Sequence, residues 1–136
     1  WAKAFDSICP TALVKALEQF WLPGKFLRMV QAIYTNRTFC VRDASCTSTG
    51  HQQAFGISQG CPLSPFLFVM VMTVLIGDAK AQLRNKGFSD AGSAPLVQEL
   101  LYADDTLVVG SASTMVETYM NCIQEAGRHG LSFNWK

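Results

Sequence analysis

The stretch LLYADDTLVVG, residues 100–110, sets Asp104 and Asp105 side by side between apolar runs. An ionised carboxylate taken out of water is costly unless it is paired or binds a cation, and adjacent ones also repel each other. The pair therefore requires solvent or a metal. One use is ordinary: aspartate is a common turn residue that hydrogen-bonds its own backbone. The other is chemical, with a stiff turn holding carboxylates out beyond a sheet end to grip divalent cations. Mg2+ takes oxygen ligands and usually shares them between one or two carboxylates and substrate phosphates. Two such ions about 4 Å apart can activate an attacking oxygen and stabilise a leaving one in phosphoryl transfer. The spacing alone leaves both uses open.

The neighbouring elements must position those acids. LVQELLY (96–102) and TLVVG (106–110) are β-like runs, and their junction across Ala103, Asp104 and Asp105 predicts a hairpin with the acids at its tip. Upstream, LSPFLF (63–68) marks a helix start, with Ser64 as cap and Pro65 in the first helical position; the helix is expected to run to Asn85 and stop at Gly87. Downstream, Thr114 and Glu117 have capping-box spacing, and Met115, Tyr119, Met120 and Ile123 share a face of the next helix, which Gly130 ends. LSFNW (131–135) reads as a last strand.

Nearer the N-terminus, DSICPTALVKALEQFW (6–21) predicts a helix with Pro10 in its first turn and Leu13, Leu17, Phe20 and Trp21 apolar. LPG (22–24) breaks it, and Phe26, Leu27, Val30, Ile33 and Tyr34 mark a second short helix. RTFCVRD (37–43) and HQQAFGIS (51–58) pair as strands across the turn-prone ASCTSTG. With a strand remnant at Phe5 and the segment between Phe5 and Ile57 taken as an insertion, the order is β-α-ββ-α-β. That is the split βαβ plan, an α+β fold.

Composition sets bounds on this reading. Of 136 residues, 49% are hydrophobic and 15% charged, enough for a core and too apolar for disorder. A net charge of +1 neither favours nor excludes nucleic acid, because a basic groove can be local. Cys9, Cys40, Cys46, Cys61 and Cys122 are odd in number and contain no CxxC pair, which argues against a disulfide framework or zinc ribbon and suits a reducing, intracellular compartment, nucleus or cytoplasm. No basic run followed by an apolar core stands at residues 1–20, so no signal peptide is expected there. The apolar run FLFVMVMTVLIG (66–77) has 12 residues against the roughly 20 a membrane span needs, so a core helix and no membrane partner are expected.

AKAFDSI (2–8), GISQGCPLSPFLF (56–68) and YADD (102–105) occur in that order, with GLSFNWK (130–136) after the last helix. Together they resemble the palm of reverse transcriptases, and QGCPLSP with AFD is most similar to the non-LTR (LINE-type) retrotransposon branch. YADD alone is a weak signal; four segments in order are a strong one. The resemblance covers essentially the whole chain and implies a partial reverse transcriptase domain over 1–136, with a helical and hairpin insertion on the fingers side at about 7–56. Its implied activity is RNA-directed DNA synthesis on an RNA template from a DNA primer and deoxynucleoside triphosphates. Asp104 and Asp105 match the catalytic aspartates that hold two Mg2+ ions, with Mn2+ as an alternative, and Asp104 is the more secure ligand. Tyr102 matches the residue near primer and template, and Gln59 and Gly60 the segment lining the nucleotide pocket. Phe5 matches the position under the incoming sugar, where a bulky ring would reject a 2′-hydroxyl by shape.

The departures carry expectations too. The family's first metal-binding aspartate would fall one residue before Trp1, and its lysine one residue beyond Lys136, so the chain reads as an excised piece expected to be inactive alone. Fingers, thumb and any endonuclease lie outside it. Asp6 follows Phe5 and is expected to serve helix-start or structural duty, not to bind a metal. Taken singly, Phe5 as core, Gln59 as a loop amide and Gly60 as punctuation are the plainer readings. A non-catalytic remnant reused as a nucleic-acid-binding or interaction module is the competing class. A maturase or an RNA-dependent RNA polymerase with the same palm is a further alternative.

Overall fold

The structure is a computed structural model, and it describes residues 4–88, 97–102 and 105–127. The expected last strand, 131–135, and Gly130 lie outside those residues, as does Asp104. What is described is α+β: five helices and three two-stranded antiparallel pairings among the described residues.

The chain enters as a helical turn, α1 (Ala4–Ser7), not as the expected strand remnant. The reason is visible in its carbonyls. Phe5 O accepts from Ile57 N and Ile8 O from Gly56 N, both at 2.8 Å, and the curl presents both oxygens to the same incoming loop. Helix α2 (Pro10–Glu18) follows with Pro10 in its first turn, where a missing N–H costs nothing, and it buries Leu13, Ala16 and Leu17. It ends sooner than the apolar pattern predicts. The amides of Gln19, Phe20 and Trp21 bond three residues back in a tightened turn, and Trp21 swings to φ 54° and 95% exposure.

Helix α3 (Gly24–Tyr34) carries Val30 and Tyr34 into the core, with Phe26 and Leu27 packed against it and Ile33 left exposed. Strands β1 (Arg37–Phe39) and β4 (His51–Gln53) pair antiparallel with Thr38 opposite Gln52, as the two runs predict. Inside that loop lies a smaller pair, β2 (Arg42–Asp43) and β3 (Cys46–Thr47).

The long helix α4 (Ser64–Asn85) matches its predicted bounds, and Gly87 follows it at φ 91°. It is longer than its apolar run, and by length and composition it would suffice to span a bilayer. In this fold it is the central helix, sending Leu67, Phe68, Met72, Leu75, Ile76, Ala79 and Leu83 into the core against α2 and the last helix. Its start departs from expectation. Leu63 is the N-cap, and Ser64 sits inside the helix with its hydroxyl turned back to the Ser58 carbonyl.

Strands β5 (Val97–Tyr102) and β6 (Asp105–Gly110) form the expected hairpin, except that Asp105, expected in its tip, is the first residue of β6 and pairs with Tyr102. Helix α5 (Ser113–Ala126) then buries Met115, Tyr119, Cys122 and Ile123, with Met120 partly covered, on the predicted face. The capping box does not form, because the helix starts at Ser113 behind an extended Ala112 and has no side-chain cap. All five cysteines are free thiols. Each buried leucine, isoleucine or methionine of this core contributes about 1.5–3 kcal/mol, so the helices are held mainly by their shared apolar face.

Candidate functional site

Side chains alternate across a strand, so the hairpin has two faces of different character. Val97, Glu99 and Leu101, opposite Gly110, Val108 and Thr106, form one. Tyr102 and Asp105 lie on the other, together with Leu100, Leu107 and Val109, and all five are exposed. Asp105 thus stands at the hairpin end with its carboxylate open to solvent and no side-chain partner among the described residues. Tyr102 is 80% exposed directly across from it. Hard oxygen donors at an open hairpin end suit a cation such as Mg2+. Among the described residues no three His, Cys, Asp or Glu side chains gather into a metal cage.

What fixes the hairpin lies on its other face. Glu99 interrupts an apolar strand, and its side chain is only 8% exposed. One carboxylate oxygen meets Lys80 Nζ of α4 at 2.7 Å, and the other accepts a hydrogen bond from the Tyr119 hydroxyl of α5. Tyr119 is fully buried. Burial first, then the hydrogen bond to Glu99 and that group's charge, push the Tyr119 hydroxyl far above the ordinary tyrosine range. One acid therefore ties the strand leading to Tyr102 to two helices. Sequence reasoning passed over Glu99, although a lone charge within LVQELLY was the available signal.

The second group of predicted residues gathers at the start of α4. Phe5 is half-buried with its ring stacked on Phe68, centroids 4.5 Å apart and planes 15° from parallel. The two backbone bonds from Gly56 and Ile57 bring the loop 56–60 onto α1. Gly56 has φ 87°, and a Cβ on it would meet the Asp6 Cα and carbonyl oxygen at 2.9 Å, so only glycine permits this approach. Gln59 donates through Nε2 to Asp6 Oδ1 at 3.2 Å, which gives Asp6 the structural duty expected of it. Gly60, at φ 81°, has open space where its side chain would be. The structure thus brings Phe5, Asp6, Gln59 and Gly60 into one cluster, with Tyr102 and Asp105 on the separate hairpin.

Arg37 holds the same loop from the opposite side. Its Nη1 donates to Ser58 Oγ at 2.8 Å and its Nη2 to the Gly56 carbonyl. The guanidinium lies 4.5 Å over the Tyr34 ring. Nothing in the local sequence marks this arginine as a loop tether, since its hydrogen-bond partners sit 18 to 21 residues away.

A profile of the family described as reverse transcriptase (RNA-dependent DNA polymerase) matches residues 1–136. The chain is 29% identical over 107 residues to the retrovirus-related Pol polyprotein of a type-2 retrotransposable element of Drosophila melanogaster, a match covering 79% of this chain and 10% of that protein. A second such polyprotein, from a type-1 retrotransposable element of Nasonia vitripennis, is 28% identical over 125 residues, 92% of this chain and 12% of that protein. The chain spans about a tenth of the length of these two relatives. It is also 43% identical over 54 residues to an uncharacterised mitochondrial protein of Arabidopsis thaliana, covering 38% of this chain and 44% of that one.

Proposed function

This chain belongs to the reverse transcriptase (RNA-dependent DNA polymerase) family, and from that premise we propose that it forms the palm core of an RNA-directed DNA polymerase of a non-LTR retrotransposon. On this reading the β5–β6 hairpin with α4 and α5 makes up most of a split βαβ palm, and α2, α3 and the β1–β4 arm are the fingers-side insertion. The observation that carries it is Asp105: an exposed carboxylate without a side-chain partner among the described residues, aligned with Tyr102 at the end of a hairpin whose other face is anchored in the core. A turn-forming aspartate needs no such anchor.

The reaction is attack of a primer 3′-hydroxyl on the α-phosphate of a deoxynucleoside triphosphate, with loss of pyrophosphate. Asp104 and Asp105 are the residues that would hold the divalent cations. Those cations, when bound, activate the attacking oxygen and neutralise charge on the phosphates. Tyr102 lies beside the primer terminus. Gln59 and Gly60 line the nucleotide pocket, where open space at Gly60 admits substrate against the backbone. Phe5, its ring held by Phe68, keeps a fixed position under the sugar and excludes a 2′-hydroxyl by shape. Most of the catalytic effect would be positioning.

The test is primer extension on an RNA template with deoxynucleotides and Mg2+, using the full-length protein that carries these residues. Asp104→Asn and Asp105→Asn should each abolish extension and leave thermal stability unchanged. Full extension by Asp105→Asn would sink the assignment.

A further inference from the structure

Among the described residues Arg37 is the one arginine that is half-buried, and the groups that meet it are neutral. It follows the end of α3 at once. Tyr34 closes the helix, Asn36 turns the chain at φ 53°, and Arg37 opens β1 with its guanidinium folded back over the Tyr34 ring. Asparagine tolerates that left-handed backbone at little cost. The fork then reaches Ser58 Oγ, the Gly56 carbonyl and, at 3.5 Å, the Phe55 carbonyl. Ser58 is in turn bound through its own carbonyl to the Ser64 hydroxyl, which lies 3.4 Å from the Tyr34 hydroxyl. The circuit from Tyr34 through Arg37, Ser58 and Ser64 back to Tyr34 closes around the loop that ends in Gln59 and Gly60.

We propose that Arg37 is a positioning residue for the nucleotide loop, fixing Gln59 and Gly60 from behind without touching substrate; the proposal rests on the polymerase reading above. Three features support a latch over a mere packing contact. Ahead of Ser58 the loop is held by two backbone bonds, to Phe5 and Ile8, and by the buried Ile57 side chain, whereas Gln59 meets the chain entry through an exposed contact with Asp6. Its backbone carries two left-handed glycines, Gly56 and Gly60, which leave it many conformations unless something selects one. A planar guanidinium can serve a hydroxyl and a carbonyl while stacking on a ring, whereas an ammonium supplies a point charge without the fork.

The experiment compares Arg37→Met, Arg37→Lys and Ser58→Ala in the full-length protein, with two readouts. In primer extension, Arg37→Met should raise KM for deoxynucleotides about tenfold, the loss of one or two charge-assisted hydrogen bonds, while primer–template affinity changes less than about twofold. Arg37→Lys should restore little of it, and Ser58→Ala should fall between. In hydrogen exchange, the amides of residues 56–60 should lose protection in Arg37→Met while those of β5, β6 and α5 keep theirs. An unchanged KM in a variant of an active enzyme, or unchanged exchange in 56–60, overturns the proposal. A wild-type protein that extends no primer overturns the polymerase reading itself, and is recognised before any variant is compared.

Discussion

Replacing Tyr119 by phenylalanine tests whether the hairpin is anchored by one polar contact. The hydroxyl donates to a Glu99 carboxylate that is 8% exposed and already paired with Lys80. Hydrogen bonds to charged groups contribute about 1.5–3 kcal/mol. The ring stays, so no cavity forms, and Lys80, which is 34% exposed, keeps Glu99 from being stranded. The lower part of that range, about 2 kcal/mol, is therefore expected for Tyr119→Phe in urea unfolding at pH 7. Glu99→Gln should cost about 1–2 kcal/mol, because the freed Lys80 recovers water. In the Glu99→Gln background the tyrosine donates to a neutral amide, so adding Tyr119→Phe should cost only about 1 kcal/mol more. The pH dependence has a definite sign. Burial and then Glu99 raise the folded-state pKa of Tyr119, so its contribution is complete below the unfolded tyrosine value near 10. It declines as pH rises past that value, by about 1.4 kcal/mol per unit. The gap between wild type and Tyr119→Phe should hold from pH 6 to 9 and shrink towards pH 11. A variant within about 0.5 kcal/mol of wild type at pH 7, or a gap constant to pH 11, would refute the anchor.

Gly56→Ala should destabilise by about 3 kcal/mol, combining left-handed strain with a collision against Asp6 backbone that cannot swing aside; thermal melting checks it. Gly60→Ala meets open space and should cost only about 1 kcal/mol, yet raise KM for deoxynucleotides in primer extension. Leu17→Ala, at a position with no exposure in the shared core, should cost about 2–5 kcal/mol in urea unfolding. Iodoacetamide should label the exposed Cys40 and Cys46 in the folded protein and reach Cys122 only on unfolding. Cys9, whose thiol pKa is lowered chiefly by the Thr11 hydroxyl, should begin to react below the ordinary thiol range.

What the residues disclosed and what they hid follow one division. The bounds of α4, the β5–β6 pairing, the buried face of α5 and the β1–β4 pairing were all legible. The α5 face and the β6 alternation are one-sided burial patterns whose period the backbone dictates. The α4 bounds follow from Pro65 and Gly87, and the largely exposed β1–β4 pair was read from its residue types and the turn-prone segment between them. Trp21 was misassigned because its phase suits α2, whereas the tightened turn at Gln19 and Phe20 is decided by where the chain must go next. Ser64 and Thr114 had the right types for caps, and neither caps. Ser64 finds a better partner in Ser58, and α5 begins two residues too early for Thr114. Local signals state what a residue can do; distant partners decide whether it does.

The same division separates the two halves of the candidate site. Asp105, Tyr102, Gln59 and Phe5 were nameable from motifs, yet none of them holds itself in place. Phe5 and the loop 56–60 are set at the first turns of α4 through Phe68 and Ser64, and the hairpin is set further along through Lys80. Phe68 and Lys80 are twelve residues apart in sequence, about 18 Å along a helix axis. On the proposed function, a helix of this length is the simplest ruler for holding the loop at Gln59 and Gly60 and the hairpin end at Asp105 at a fixed separation. Its polar contacts with these two parts are the Ser64 hydroxyl in its first turn and Lys80 farther along. Arg37 and Glu99, neither of which a motif marks, govern the geometry in which the motif residues work.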